Sequence, residues 1–165
     1  MEKEFIELIN NHRSLIFKVC NLYCSYPESR KDLFQEVVLQ LWKSFPGFRK
    51  ASASGTWIYQ VALNTAISNF RKELKKPEKQ PLTPLEFEIP DVHDSSEKAE
   101  DQSALNQAIA KLTEIEKAVI MLYLDEKTYD EISEIIGISS SNVGVRLNRI
   151  KNKLSQLIKT NYNEY

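Results

Sequence analysis

The chain has 165 residues, 42% hydrophobic and 27% charged, with 22 basic against 23 acidic side chains. That length makes one ordinary domain or two small ones, and the near-neutral charge argues against a general nucleic-acid coat. No apolar run approaches the ~20 residues of a membrane span and no secretory signal opens the chain, so a soluble, intracellular protein is expected.

The first predicted elements are helical. Phe5, Leu8, Ile9, Leu15, Ile16, Val19 and Tyr23 step at helical spacing, and so do Leu33, Val37, Leu41 and Phe45. Beside that second stripe, Asp32, Gln35, Glu36, Val38, Leu39 and Gln40 stay available. A helix carrying acids and glutamine beside spare apolar residues either docks on another protein or is a core helix with solvated faces. Next comes SFPGFRKASASGTWIYQVALNTAISNFRKELKK, which mixes aromatic and basic residues. A loop with Arg49, Lys50, Ser52 and Ser54 leads into a helix bearing Trp57, Tyr59, Asn64, Arg71 and Lys72. Aromatic and basic groups around a small polar loop suit unstacked single-stranded bases, although Trp57 and Tyr59 suit a core equally well.

Proline then breaks the pattern. Pro77, Pro81, Pro84 and Pro90 fall in an acidic, polar stretch, so residues 77 to about 100 are expected to be an extended or disordered linker. Charge follows the same division. Residues 1–76 carry 12 basic and 7 acidic groups, 77–110 carry 2 and 8, and 111–165 carry 8 and 8. Beyond the linker, Leu105, Ala108, Ile109 and Leu112 resume helical spacing. Thr113 with Glu116 reads as a capping box ahead of Ile115, Val119 and Leu122. No run alternates as a half-buried strand does. The expected fold is all-α: two small helical domains, 1–76 and 101–165, joined by a flexible acidic proline-rich linker, 77–100.

The C-terminal domain is predicted to hold a helix-turn-helix. Thr128 and Glu131 form a second capping box, Ile132, Ile135 and Ile136 give a short helix an apolar face, and Ser133 is small enough for close packing. Gly137 sits where a tight turn needs positive φ. Ser139 or Ser140 caps the next helix, whose inward stripe is Val143, Leu147, Ile150 and Leu154. At 100° per residue, Ser141, Val145, Asn148, Arg149 and Asn152 point outward. Arg can bond guanine, Asn can bond adenine, and Val can touch a thymine methyl, so duplex DNA is the expected ligand of the second helix. No acid lies between Ile135 and Asn163, whereas Arg146, Arg149, Lys151, Lys153 and Lys159 are basic.

Catalytic and metal chemistry find no such support. Cys20 and Cys24 lie four apart in an apolar helical pattern, far in sequence from His12 and His93, and read as small core or half-buried thiols. There is no phosphate-binding glycine loop and no nucleophile motif. No enzyme, no metal and no cofactor are expected.

The order DLFQEVVLQLWKSFPGF, then GTWIYQVALNTAISNFRK, then LTEIEKAVIMLYLDEKTYDEISEIIGISSSNVGVRLNRIKNKL resembles the extracytoplasmic-function group of bacterial sigma factors. The three motifs cover nearly all of both helical halves, in the family's order. The resemblance implies a cytoplasmic factor that binds core RNA polymerase and promoter DNA, with an anti-sigma factor as a frequent partner in the family. Under it, Asp32, Gln35, Glu36, Leu39 and Gln40 fall in the segment that contacts the polymerase clamp. Arg49, Lys50, Ser52 and Ser54 match the loop that captures a flipped base of the −10 strand. Trp57, Asn64 and Arg71 match the helix that supports this loop and touches the strand or its phosphates. Ser140, Ser141, Gly144, Val145, Asn148 and Arg149 match the −35 contact positions. Arg146 matches a recurring family arginine, placed by geometry on the flank for an ion pair or a phosphate.

Two positions depart from the family pattern. Gly144 stands where a basic or polar side chain is usual, and glycine costs about 1 kcal/mol inside a helix. Either the DNA backbone approaches closely there or that base pair is not read by a side chain. Ser54-Gly55 replaces a bulkier pair before Trp57. In relatives the linker threads the RNA exit path, for which an acidic tether or a plain flexible one would serve. A stand-alone helix-turn-helix regulator, or a polymerase-binding helical adaptor without DNA reading, would each account for part of the chain.

Overall fold

The computed structural model describes residues 1–48, 53–76 and 96–163, and among these it is helical without strands. The N-terminal half contains α1 (Glu2–Asn11), α2 (Arg13–Tyr23), α3 (Pro27–Ser44), a 3-10 turn at Phe45–Gly47, and α4 (Ser54–Lys75). What reads in sequence as one apolar run is two helices: the chain bends at His12 (φ −116°, ψ 17°), whose Nδ1 lies 3.0 Å from the Leu8 carbonyl. Pro27 opens α3 at a position where its missing N–H costs nothing. Arg30 reaches back to the Cys24 and Ser25 carbonyls at 3.0 and 3.3 Å, satisfying acceptors that the end of α2 leaves free. Ile16, Val19, Leu33, Val37, Leu41, Ile58, Ala62 and Leu63 close the core between α2, α3 and α4. Cys20 is fully buried and Cys24 nearly so, both as free thiols. Burial, and secondarily the neighbouring Cys24, push the Cys20 thiol up to about 12, which keeps it protonated and unreactive.

The C-terminal half contains α5 (Ser96–Ala110), α6 (Glu114–Leu124), α7 (Tyr129–Ile136) and α8 (Ser140–Asn163). Helix α5 starts at Ser96, inside the stretch expected to be linker. Its opening residues, Ser-Glu-Lys-Ala-Glu, contain good helix formers and no proline after Pro90, which is reason enough for the earlier start. Residues 77–95 lie outside the described residues. Both expected capping boxes are present: Thr113 with Glu116 starts α6, and Thr128 with Glu131 starts α7. Gly137 ends α7 in the left-handed region at φ 84°. Ser139 is the cap of α8, accepting from the Asn142 N–H at 3.2 Å, while the Ser140 hydroxyl donates to Asp130 at 2.5 Å. Ile132, Ile135, Val143, Leu147, Ile150 and Leu154 are buried as their spacing requires. None of the helices among the described residues is long and apolar enough to cross a membrane.

The two halves touch. Helix α4 packs against α6 and α7, and the buried side chains of both halves form one cluster. Polar contacts fringe this junction. Asp125 accepts from Lys18 at 2.6 Å and from the buried Tyr59 hydroxyl. Tyr23 donates to the Glu114 carbonyl at 2.5 Å, and Arg71 pairs with the Glu114 carboxylate at 3.0 Å. Lys117 is buried with its ammonium 5.3 Å from the centre of the Phe70 ring and 6.0 Å from that of Tyr23.

Candidate nucleic-acid interface

Helix α8 presents the expected outward face. Val143, Leu147 and Ile150 are fully buried, and the opposite side carries Ser141, Val145, Asn148, Arg149 and Asn152 in solvent. Val145 is 47% exposed, an apolar side chain left in solvent on this face. Asn148 and Arg149 enter no side-chain hydrogen bond or ion pair among the described residues, so their donors are free for base edges. Arg146 is also exposed and enters no ion pair among the described residues. The helix's other cations are less free than their sequence implies. Lys153 pairs with Glu116 at 2.9 Å, and Lys151 donates to the Tyr123 hydroxyl at 3.0 Å while lying 4.2 Å from the centre of its ring. Burial raises the Glu116 carboxyl, but the Thr113 backbone N–H and Lys153 outweigh it and hold the group below the usual range.

Ser140 and Gly144 are half-buried on the flank of α8 rather than on its outer face. Ser140 is tied to Asp130. Gly144 carries the Tyr129 ring: a Cβ at 144 would lie 3.4 Å from Tyr129 Cε2.

In the N-terminal half, α3 exposes Asp32, Gln35, Glu36 and Leu39, and Gln40 is half-buried with its Nε2 donating to Glu36 at 2.9 Å. Leu39 and Trp42 are 44% and 39% exposed, an apolar strip beside the carboxylates. Val38 packs partly into the core and is not available as its sequence position implied. Asp32, Glu36 and Gln40 border a cleft of about 880 Å3 whose far wall includes Asn64 and Lys72 of α4.

Along α4, Trp57, Asn64 and Arg71 recur every two turns and so share a face. Trp57 is half-buried and stacks on Phe48 at 4.3 Å, fixing the entrance to α4; Ser54 begins that helix. Arg49, Lys50 and Ser52 lie outside the described residues. Tyr59 is core, contributed to the junction rather than to the nucleic-acid face. Arg71 is held by Glu114, whose carboxyl is pulled below its usual range by its own backbone N–H and then by Arg71. Tyr59 takes the core reading that the sequence left open, whereas Lys18, Lys117 and Asp125 escaped sequence reasoning because contacts between residues so far apart in the chain leave no periodic trace.

An all-α chain with an exposed acidic and apolar strip on α3, and a helix-turn-helix whose second helix is open, has the build of a DNA-binding protein. Comparison with known families makes that specific. Residues 8–75 match the family model described as Sigma-70 region 2, and residues 102–154 match Sigma-70, region 4. The chain belongs to the sigma-70 family of RNA polymerase sigma factors, in its extracytoplasmic-function group. It is similar to the RNA polymerase sigma factor YlaC of Bacillus subtilis, at 29% identity over 78% of this chain and 77% of the relative. It also resembles the ECF sigma factor SigW of the same organism, at 25% identity over 94% and 89%. Among solved structures, RpoE in complex with the anti-sigma factor NepR from Bartonella quintana shares the fold. The TM-score is 0.69 at 19% identity, covering 95% of this chain and 98% of that one. The protein is an alternative sigma factor that binds core RNA polymerase and directs the start of transcription at promoter DNA.

Proposed function

We propose that α8 reads the −35 duplex, that α3 docks on the polymerase clamp, and that α4 with the loop before it captures the opened −10 strand. The supporting observation is the outer face of α8, where Ser141, Val145, Asn148 and Arg149 stand exposed and free of acid while the opposite face is buried. Arg149 and Asn148 bond base edges, Val145 meets a thymine methyl, and Arg146 holds a phosphate. Asp32, Gln35, Glu36 and Gln40 pair with basic and polar groups of the clamp around Leu39. Arg49, Lys50, Ser52 and Ser54 surround the flipped base, Trp57 braces the loop through Phe48, and Asn64 and Arg71 follow the strand. Opening is driven by binding: an unstacked base costs a few kcal/mol, offset by its pocket and by phosphate contacts. No covalent bond is made or broken, so the protein is not an enzyme, and it acts in the cytoplasm.

Glu114 engages Arg71 in this arrangement, so that exposed ion pair is released before Arg71 meets the −10 strand. The −35 face and the α3 surface stay open meanwhile, so polymerase and the −35 duplex are engaged first. A solved structure that shares this fold is a complex with an anti-sigma factor, and an anti-sigma factor is a partner of this protein too. Runoff transcription with purified core polymerase on fragmented DNA of the source organism tests the reading. Discrete transcripts dependent on this protein, with a shared upstream sequence, are expected. Binding to core without transcripts would favour the adaptor, and no binding to core a stand-alone regulator.

A further inference from the structure

The bend between α1 and α2 stands against the entrance of α4. His12 ends the first helix and begins the second: its backbone N–H donates to the Leu8 and Ile9 carbonyls at 3.2 and 3.1 Å, and its carbonyl accepts from Ile16 at 3.2 Å. Its ring is fixed as well. Nδ1 lies 3.0 Å from the Leu8 carbonyl, which can only accept, so Nδ1 carries the proton and the far edge of the ring is left for α4. That edge, Nε2 and Cδ2, lies 3.8 and 3.9 Å from where a Cβ on Gly55 would be. Apart from Gly55's own helix and chain neighbours, nothing else among the described residues comes within 4 Å of that point. Nε2 makes no hydrogen bond among the described residues, so what the ring supplies at Gly55 is shape. Helix α1 leans on the same place. Phe5 is buried with its ring 4.9 and 5.3 Å from those of Trp42 and Phe45, Phe45 lies 6.4 Å from Trp57, and Trp57 stacks on Phe48. The first turn of α4 opens without a side-chain cap and has a glycine as its second residue, so it has little stiffness of its own. It is held from two sides, by rings around Trp57 and by His12 over Gly55.

We propose that His12 is a positioning residue for promoter opening: its ring fills the space that Gly55 leaves and seats the first turn of α4, into which the −10 loop runs, in the orientation that receives the displaced strand. The inference rests on the assignment of α4 and its loop to the −10 strand. It gives the α1–α2 bend a task beyond the core, and it accounts for the small Ser54-Gly55 pair before Trp57, because the missing bulk arrives from another segment of the chain. The ring acts through α4 and touches no DNA. Its effect falls on the opening step, since polymerase capture uses α3 and duplex binding uses α8, and neither surface includes this contact.

The test uses the full chain with core polymerase on a promoter fragment that the wild-type holoenzyme transcribes, opening being followed by permanganate reactivity of unpaired thymines in the bubble. Two substitutions pull the contacts of His12 apart. His12→Asn keeps an N–H donor for the Leu8 carbonyl and removes the ring from Gly55. Opening is expected to slow about 3- to 10-fold, with core binding, −35 duplex binding and thermal stability unchanged. His12→Phe keeps a ring over Gly55 and gives up the bond to Leu8, so it is expected to lose some stability and to open at close to the wild-type rate. Normal opening in His12→Asn, or a His12→Phe as slow as His12→Asn, would leave His12 a helix-bend residue only and overturn the proposal. Gly55→Leu, whose side chain displaces the ring, is expected to slow opening by itself and to add less beside His12→Asn; additive effects overturn the proposal too. Asn64→Ala separates the two levels. If it leaves opening intact, the −10 assignment fails and this inference with it; if it slows opening while His12→Asn does not, the inference alone fails.

Discussion

Two residues with positive φ show how local backbone chemistry shapes this protein. Gly137, at φ 84°, makes the turn of the helix-turn-helix with no Cβ to strain. Glu126, at φ 62°, makes the turn after α6 with a side chain that dislikes it, next to Asp125. Glu126→Gly should therefore relieve up to about 1 kcal/mol, and Gly137→Ala should cost about 1–2 kcal/mol, both read from urea unfolding. The same mutation type in opposite directions has opposite expected signs, so equal effects would contradict the turn geometry. On the DNA face, Arg149→Ala should cost about 1–3 kcal/mol of duplex affinity and relax specificity at one base pair. An unchanged −35 footprint would remove Arg149 from the reading set.

At the scale of elements, each helix combines a buried stripe with a surface available for other use. Helix α3 buries Leu33, Val37 and Leu41 and leaves Asp32, Gln35, Glu36 and Leu39 in water. Surface substitutions there leave the fold alone, so Asp32→Ala with Glu36→Ala should weaken polymerase capture while isolated duplex binding persists. Wild-type recovery in a pull-down by core polymerase would sink the assignment of α3. Helix α8 divides its cations by the same logic. Lys151 and Lys153 are turned toward α6, and Arg146 and Arg149 are left outward, so helix rotation and not basic content sets which charges the outer face presents.

Across the whole molecule, Asp125 is a polar tie at the rim of the apolar junction between the halves. Burial raises its carboxyl, but hydrogen bonds from Lys18 and Tyr59, with the charges of Lys18 and Lys127, hold it below the ordinary 3.8. A lowered carboxyl stabilises the closed form fully above its ordinary value, and that contribution is lost as pH falls through the lowered one. Lys18 is half exposed, so the ion pair itself contributes no more than about 1 kcal/mol. The Tyr59 hydroxyl is the more consequential partner, because without Asp125 it would be a buried donor left unpaired. Asp125→Ala, which leaves the buried Tyr59 hydroxyl without its acceptor, should loosen the junction at neutral pH, seen as a larger radius in small-angle scattering, and should flatten its response to acid. Identical profiles for wild type and variant would show that the carboxylate does not hold the halves together.

Local chemistry is written in consecutive residues, and the sequence was sufficient wherever the cause was local. Capping boxes at Thr113 and Thr128, the glycine turn at Gly137, and the buried and outward faces of α8 follow from spacing within a few turns. Spacing also distinguished the exposed row on α3, apart from the half-buried Val38 and Gln40. The break at His12 and the early start of α5 were less visible, because neither changes the helical period that sequence reasoning relies on. What the tertiary structure decided was everything that depends on distant segments meeting. It put Tyr59 in the core, tied Arg71 to Glu114, set Tyr129 on Gly144 and joined two helical halves through Asp125. Periodicity tells a residue which side of its own helix is buried; only packing tells it what it is buried against.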